Sequence, residues 1–285
     1  SPNIFAHRAA PIQVNYLGYP GSMPCSYMDY IIADHTLIPS DSRMFYHEKV
    51  VYMPDCYQPN DRKRPISEKV FTREEVGLPK NSFVYACFCS TYKITPDIFD
   101  IWMDILKQVP NSVLWITAPE DQHATQARIN LNKEINARGV SEGRIIFADR
   151  LTLSEHLQRA KLADLVLDTL PYNAHTTASD VLWAGVPIVG IIGDSFASRV
   201  STSILYASWL PELVAKSRKE YLDIAVELGR NPAKMRVMKA KLERNKEVCP
   251  LFNMDLYIRY LESAYINMYE RYQAGLLPDH IYVRA

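Results

Sequence analysis

The chain has 285 residues, 48% of them hydrophobic and 22% charged, enough to bury one large core or two modest ones. Lysine plus arginine equals aspartate plus glutamate, and no run of five like charges occurs, so composition offers no electrostatic footprint for nucleic acid or an anionic membrane. Five cysteines without disulfide-framework spacing, no apolar stretch near the roughly 20 residues that span a bilayer, and no signal-peptide pattern predict a reducing, cytoplasmic setting.

The opening Ser1-Pro2-Asn3 carries no initiator methionine and reads as the start of an excised segment. Weak strands follow near Ile12 to Tyr16, Tyr30 to Ala33 and Lys49 to Met53, broken by the turn-forming clusters Gly18-Tyr19-Pro20-Gly21 and Gln58-Pro59-Asn60-Asp61. Three short strands without crossover helices would hardly cover both faces of a parallel sheet, so residues 1–78 read as the end of another α/β domain. The densest basic stretch, Asp61 to Arg64, reads as a solvated loop.

From residue 79 to about 250 the pattern changes to short β-branched and aromatic runs alternating with segments of helical period, as in βαβ units around a parallel sheet. Strands are predicted at Phe83 to Phe88, Ser112 to Ile116, Arg144 to Phe147, Leu165 to Leu167 and Pro187 to Ile191. Helices are predicted at about Pro96 to Gln108, Ala124 to Arg138, Ser154 to Ala160 and Thr177 to Ala184, completing a Rossmann-like domain. Cys87 and Cys89, two apart on a strand, share a face and read as buried packing. After Val214 the chain turns helical, at Ser217 to Gly229, Pro232 to Lys246 and Leu256 to Ala274. Tyr257, Leu261, Ala264, Tyr265, Met268 and Tyr272 form a packing stripe on the last helix, and residues 251–285 are expected to pack back on the lobes.

Three loops carry candidate chemistry. In Leu165-Val-Leu-Asp-Thr-Leu-Pro-Tyr-Asn-Ala-His-Thr-Thr-Ala-Ser-Asp180, a strand leads through a loop into a helix. His175, Thr176 and Thr177 at that helix start would bring an imidazole, two hydroxyls and unpaired N–H groups to one point, a natural diphosphate cradle. Asp180, three residues on, could accept from ribose hydroxyls; a simple helix cap is the plainer alternative. Phe88-Cys89-Ser90-Thr91-Tyr92-Lys93 is a second strand exit, where Lys93 could set an ammonium against a phosphate or be an ordinary surface charge. Leu151-Thr152-Leu153-Ser154-Glu155-His156-Leu157-Gln158-Arg159 is a third. There His156 and Arg159 share a helix face and could meet a base or ribose, against the simpler reading of solvent-facing polar residues. All three exits lie on one edge of one sheet, where their residues can converge on a single ligand. No DxD-like cluster or His/Cys ligand spacing occurs, so the charge of a leaving diphosphate would fall to Lys93, His175 and helix N–H groups, without metal or cofactor.

Ala10-Pro-Ile-Gln-Val-Asn-Tyr-Leu-Gly-Tyr-Pro-Gly-Ser22, Met28-Asp-Tyr-Ile-Ile32, Val109-Pro-Asn-Ser-Val-Leu-Trp115, the His175-Thr-Thr loop and Ala197-Ser-Arg-Val200 together resemble the protein O-GlcNAc transferase and SPINDLY family. The likeness runs collinearly from about Phe5 to Asp279. It implies a GT-B fold, in which residues 1–78 end an N-terminal catalytic lobe and 79–250 form the complete nucleotide-sugar-binding lobe. It implies inverting transfer of GlcNAc from UDP-GlcNAc to protein Ser or Thr hydroxyls, with GDP-fucose the alternative donor, as in SPINDLY-like members. A nucleotide-sugar-binding fragment without transfer is the other alternative.

Carried over by position, Lys93 matches the family's diphosphate-binding lysine, His175, Thr176 and Thr177 its phosphate loop, and Asp180 its ribose contact. His156 and Arg159 match nucleoside contacts, and the backbone at Leu151 meets the uracil. Ser90 stands where animal members have a glutamine, and Leu153 where they have a lysine. The family's proposed catalytic-base histidine would precede Ala10, and His7 does not match it. The family's tetratricopeptide repeats have no counterpart in this sequence, and the animal insertion between the lobes is missing too, which resembles bacterial and SPINDLY-like members.

Overall fold

The structure is a computed structural model and describes residues 2–118 and 124–284. It contains two parallel sheets. β1 (Val14–Asn15), β2 (Tyr30–Asp34) and β3 (Lys49–Met53) begin the first. The second is assembled from β4 (Phe83–Cys87), α1 (Pro96–Gln108), β5 (Ser112–Thr117), α2 (Ala124–Ala137), β6 (Ile145–Ala148), α3 (Leu153–Ala160), β7 (Leu165–Leu167), α4 (Thr176–Trp183) and β8 (Ile188–Ile191). Then come α5 (Val200–Ala207), β9 (Val214–Ala215), α6 (Arg218–Arg230), α7 (Pro232–Val248), α8 (Met254–Gln273) and β10 (Ile281–Tyr282).

The strand order of the second sheet is β6-β5-β4-β7-β8-β9, with every pair parallel. Its strands are buried almost throughout because helices cover both faces, which is why they read as continuous apolar runs rather than alternating ones. α1 shows the local logic. Thr95 accepts a hydrogen bond from the Ile98 N–H, Pro96 occupies the first turn, and Ile98, Phe99, Trp102, Ile105 and Leu106 repeat at three and four residues to face the sheet.

The first sheet, ordered β1-β2-β3-β10, draws its last strand from the far end of the chain. Alternation splits its side chains in two. Tyr30, Ile32, Val51 and Met53 pack under Tyr257, Tyr260, Ala264 and Met268 of α8, while Ile31, Ala33, Val50 and Tyr52 join the main core. One face is thus covered by a helix from the other end of the chain. Full burial of each such side chain contributes about 1.5–3 kcal/mol. The α8 stripe differs from the expected one in that Tyr260 faces the sheet whereas Tyr265 and Tyr272 are exposed: both stripes fit the helical period, and the position of the first sheet selects the face through 257, 260, 264 and 268.

Between the sheets, Asp34 at the end of β2 is wholly buried. It accepts from the N–H groups of Thr36, Leu37 and Tyr57 and from the Ser203 hydroxyl on α5 at 2.6 Å. Burial pushes its carboxyl up to about 6 even with these four donors lowering it. Cys87 and Cys89 are both buried and unpaired. Among the described residues, no helix is long and apolar enough to cross a membrane.

Candidate functional site

Parallel strands deliver the loops that follow them to one edge of their sheet. β4, β6 and β7 therefore bring three strand exits to the same edge, the topology expected from the sequence.

The β7 exit is organised by Asp168, which is fully buried. Its Oδ1 accepts from the Thr169 N–H at 2.8 Å and the Ala174 N–H at 2.6 Å, so the loop closes around one carboxylate. Burial pushes this group up to about 7, against those N–H donors and the Lys93 charge. Asn173, also buried, donates to the carbonyls of Thr169 and Ile191. The backbone from Tyr172 to His175 is fixed as a result.

Against this loop sits Lys93, in a turn of 3-10 helix after β4. Its Nζ donates to the Asn173 carbonyl at 2.9 Å and lies 4.0 Å from the centre of the Tyr172 ring. The same ring stacks on the His175 imidazole, with centroids 4.8 Å apart and planes 20° from parallel. Thr95 adds a second tie between the two exits by donating to the Leu170 carbonyl. Ser90, at the mouth of the turn, is exposed.

His175 occupies the N-cap position of α4 and makes no side-chain cap bond. Its Nε2 lies 3.2 Å from the Ala197 carbonyl, and because a carbonyl only accepts, Nε2 carries the hydrogen and Nδ1 the lone pair. Burial holds the imidazole down to about 4, the Lys93 charge adding to the effect and the Ala197 bond opposing it. The ring is therefore neutral at pH 7 with its single N–H committed. His175 and Lys93 thus lie against the same Tyr172 ring at the start of α4, as the sequence places them. Thr176 is exposed and Thr177 half-buried in the first turn of α4.

Asp180 is buried one turn further on and forms an ion pair with Arg64. The neighbouring Trp183 indole donates to the Arg64 carbonyl at 3.1 Å, and Gln58 donates to the Ser179 hydroxyl at 3.4 Å. The segment joining the two sheets thus lies along α4. Asp61, Arg62 and Lys63 are exposed as expected, but Arg64 is not part of a solvated loop: a buried carboxylate 116 positions away claims it. Burial raises the Asp180 carboxyl and Arg64 opposes that.

At the β6 exit, Leu151 and Leu153 are exposed at the entry to α3. His156 and Arg159 are not the solvent-facing pair of the simpler reading. Arg159 is buried, its Nη1 donating to the Asp149 carbonyl at 2.6 Å and its Nη2 lying 3.3 Å from the His156 Nδ1. A guanidinium only donates, so Nδ1 accepts. The His156 ring meets the edge of Phe88 at 4.8 Å, linking this exit to the end of β4. Burial, with the Arg159 charge, holds His156 down to about 4.

Beside Tyr172 opens a cleft of about 1130 Å³ between the sheets. One wall is Gly18 to Ser22 with Phe45 and Tyr46; the other is Tyr172 with Asp194 to Ala197. Arg199 ties the walls together, donating to the Thr36 carbonyl on one side and the Gly193 carbonyl on the other. Glu48 holds the first wall by accepting from Asn15, Ser22 and the Met23 N–H. Sequence reading passed over Tyr172 and placed Arg64 in a solvated loop. The signal for Tyr172 was its place three residues before His175 in the same loop, whereas Arg64 offered none, because its partner is remote in sequence.

Comparison with known proteins adds independent findings. The model of glycosyl transferase family 41 matches residues 1–67 and 60–261. The chain is 37% identical over 286 residues, and 98% of its own length, to a protein of Arabidopsis thaliana described as a probable UDP-N-acetylglucosamine–peptide N-acetylglucosaminyltransferase SEC. It is 31% identical, over 96% of its length, to a probable SPINDLY transferase of the same description from Oryza sativa subsp. japonica. It spans only 29% of either relative. Among solved structures, an O-GlcNAc transferase mutant of Thermobaculum terrenum superposes with a TM-score of 0.80 at 28% identity, over 95% of this chain and 51% of that one. The parallel-sheet α/β architecture is that of the GT-B glycosyltransferases.

Proposed function

The chain belongs to glycosyl transferase family 41, and from that premise we propose that it forms the donor-binding part of a transferase that moves GlcNAc from UDP-GlcNAc to Ser or Thr hydroxyls of proteins, with inversion and without metal. The observation that carries the reading is the meeting of Lys93 with the Tyr172–His175 loop at the N-terminus of α4. A leaving diphosphate develops negative charge as the sugar departs, and preorganised donors at that position lower the barrier. Lys93 supplies the positive charge, and the N–H groups that open α4, with the Thr176 and Thr177 hydroxyls, supply oriented dipoles. His175 packs beside the phosphates, its ring stacked on Tyr172 and its Nε2 tied to the Ala197 carbonyl.

Asp180, with Arg64 beside it, faces the ribose. The backbone at Leu151, with Leu153, His156 and Arg159, borders the base, and Ser90 stands at the phosphate end. The proteins described as peptide N-acetylglucosaminyltransferases among its relatives support UDP-GlcNAc as donor and a peptide as acceptor. The domain reading that accompanies this function takes residues 1–78 as the end of the N-terminal catalytic lobe, 79–250 as the nucleotide-sugar-binding lobe and 251–285 as the helical segment packing back on the lobes. Calorimetric titration with UDP and with GDP tests the donor: preference for UDP by tenfold or more supports the reading, and preference for GDP moves it to fucosyl transfer.

A further inference from the structure

From the stacking around one ring we infer that Tyr172 is a positioning residue for the diphosphate-binding groups, its aromatic face holding the Lys93 ammonium and the His175 imidazole in their working places. The inference rests on the donor-site reading above and adds to it a residue which that reading does not use.

Lys93 reaches the site on a flexible four-carbon stem, and a point charge on such a stem has no orientation of its own. Two contacts fix it. One of its three N–H bonds goes to the Asn173 carbonyl, and the ammonium rests 4.0 Å from the Tyr172 ring centre, well inside the range of cation–π attraction. For His175 the ring acts through shape: stacking at 4.8 Å and 20° sets the plane of the imidazole, while the bond from Nε2 to the Ala197 carbonyl sets its rotation. Tyr172 is itself held from behind, since its carbonyl accepts from the Thr169 hydroxyl at 2.7 Å and the loop around it closes on Asp168. The ring also borders the cleft between the sheets, so it sits where the bound diphosphate and the open cleft meet. The attraction belongs to the ring and not to the hydroxyl, for which no hydrogen bond occurs among the described side-chain contacts of Tyr172.

The test titrates uridine and UDP into the chain and four variants. Tyr172→Leu keeps an apolar side chain and removes the aromatic face; it is expected to weaken UDP about tenfold and to leave uridine within twofold, because only the diphosphate end is disturbed. Tyr172→Phe is expected to restore the lost UDP affinity. Tyr172→Leu in a Lys93→Ala background is expected to cost clearly less than in the unsubstituted chain, since the part of its effect that runs through Lys93 is already lost. Equal losses for uridine and UDP, a Phe variant as weak as the Leu variant, or full additivity with Lys93→Ala would each overturn the inference. If Lys93→Ala weakens UDP while Tyr172→Leu does not, the inference alone fails. If Lys93→Ala leaves UDP binding unchanged, the donor-site reading fails first.

Discussion

Replacing Arg64 by Met removes the guanidinium and keeps the stem, stranding the Asp180 carboxylate under the segment that joins the two sheets. The pair is largely buried, with side-chain exposures of 16% and 11%, so losing one partner carries a larger penalty than at a surface ion pair. Breaking a fully buried pair costs about 3–5 kcal/mol, but a stranded carboxylate can escape by binding a proton. Protonating a carboxyl of ordinary pKa costs about 1.5 kcal/mol at pH 5 and about 5 kcal/mol at pH 7.5, which caps the loss at the lower pH. The expected destabilisation is therefore about 3 kcal/mol at pH 7.5 and about 1 kcal/mol at pH 5.

The sign follows from linkage. Burial already raises the folded-state pKa of Asp180 while Arg64 lowers it, so removing Arg64 raises it further. The folded variant then holds a proton that the unfolded chain has lost, and its stability falls as pH rises through the folded pKa. Urea unfolding followed by tryptophan fluorescence, at both pH values, measures the difference. Adding Asp180→Asn is expected to recover most of the pH 7.5 loss. A loss equal at the two pH values, or no recovery in the double variant, would refute the assignment of that energy to the stranded carboxylate.

Two further outcomes follow from other parts of the molecule. Gly229 lies in α6, where alanine normally gains about 1 kcal/mol, yet a Cβ there would collide with the Tyr85 hydroxyl, which is buried and bonded to the Ala225 carbonyl. Gly229→Ala is expected to lower stability by about 1–2 kcal/mol in urea unfolding, and adding Tyr85→Phe to recover part of the loss, since the ring carbon Cζ and Val109 still crowd the new Cβ at 3.0 and 3.2 Å. His156 is held down to about 4, so between pH 6.5 and 4 the unfolded chain binds a proton that the folded chain refuses. Stability is lost as pH falls through that window, by up to about 3 kcal/mol from this group, and His156→Gln should flatten the acid limb of the stability–pH curve measured by urea titration; an unchanged limb contradicts the burial of the imidazole.

The second sheet was legible because its strands are apolar runs bounded by polar turns, and α1 and α3 carry amphipathic periods that a window of residues can register. α5 was missed for the opposite reason. Val-Ser-Thr-Ser-Ile-Leu-Tyr-Ala is buried on nearly every side, so it shows no polar face and its β-branched and hydroxyl residues read as loop or strand. β10 has two residues and exists only because β3, more than 200 positions earlier, offers it an edge. The candidate site divides in the same way. Lys93 and His175 stand at strand exits, which local pattern marks. Their setting does not: the Tyr172 ring between them, the Ala197 carbonyl that takes the His175 N–H, and the Arg64 partner of Asp180 are products of tertiary packing. Arg159 and His156 illustrate the cost of reading helices singly, because the Phe88 and Trp115 rings that bury them come from other strands.

The most direct test is calorimetric titration of UDP into the chain and into its Lys93→Ala variant at neutral pH and fixed ionic strength. The account predicts saturable binding at one site, weakened at least tenfold by the substitution, since it assigns the diphosphate to the ammonium held over the Tyr172 ring. Saturable binding with the same affinity in both proteins would contradict it.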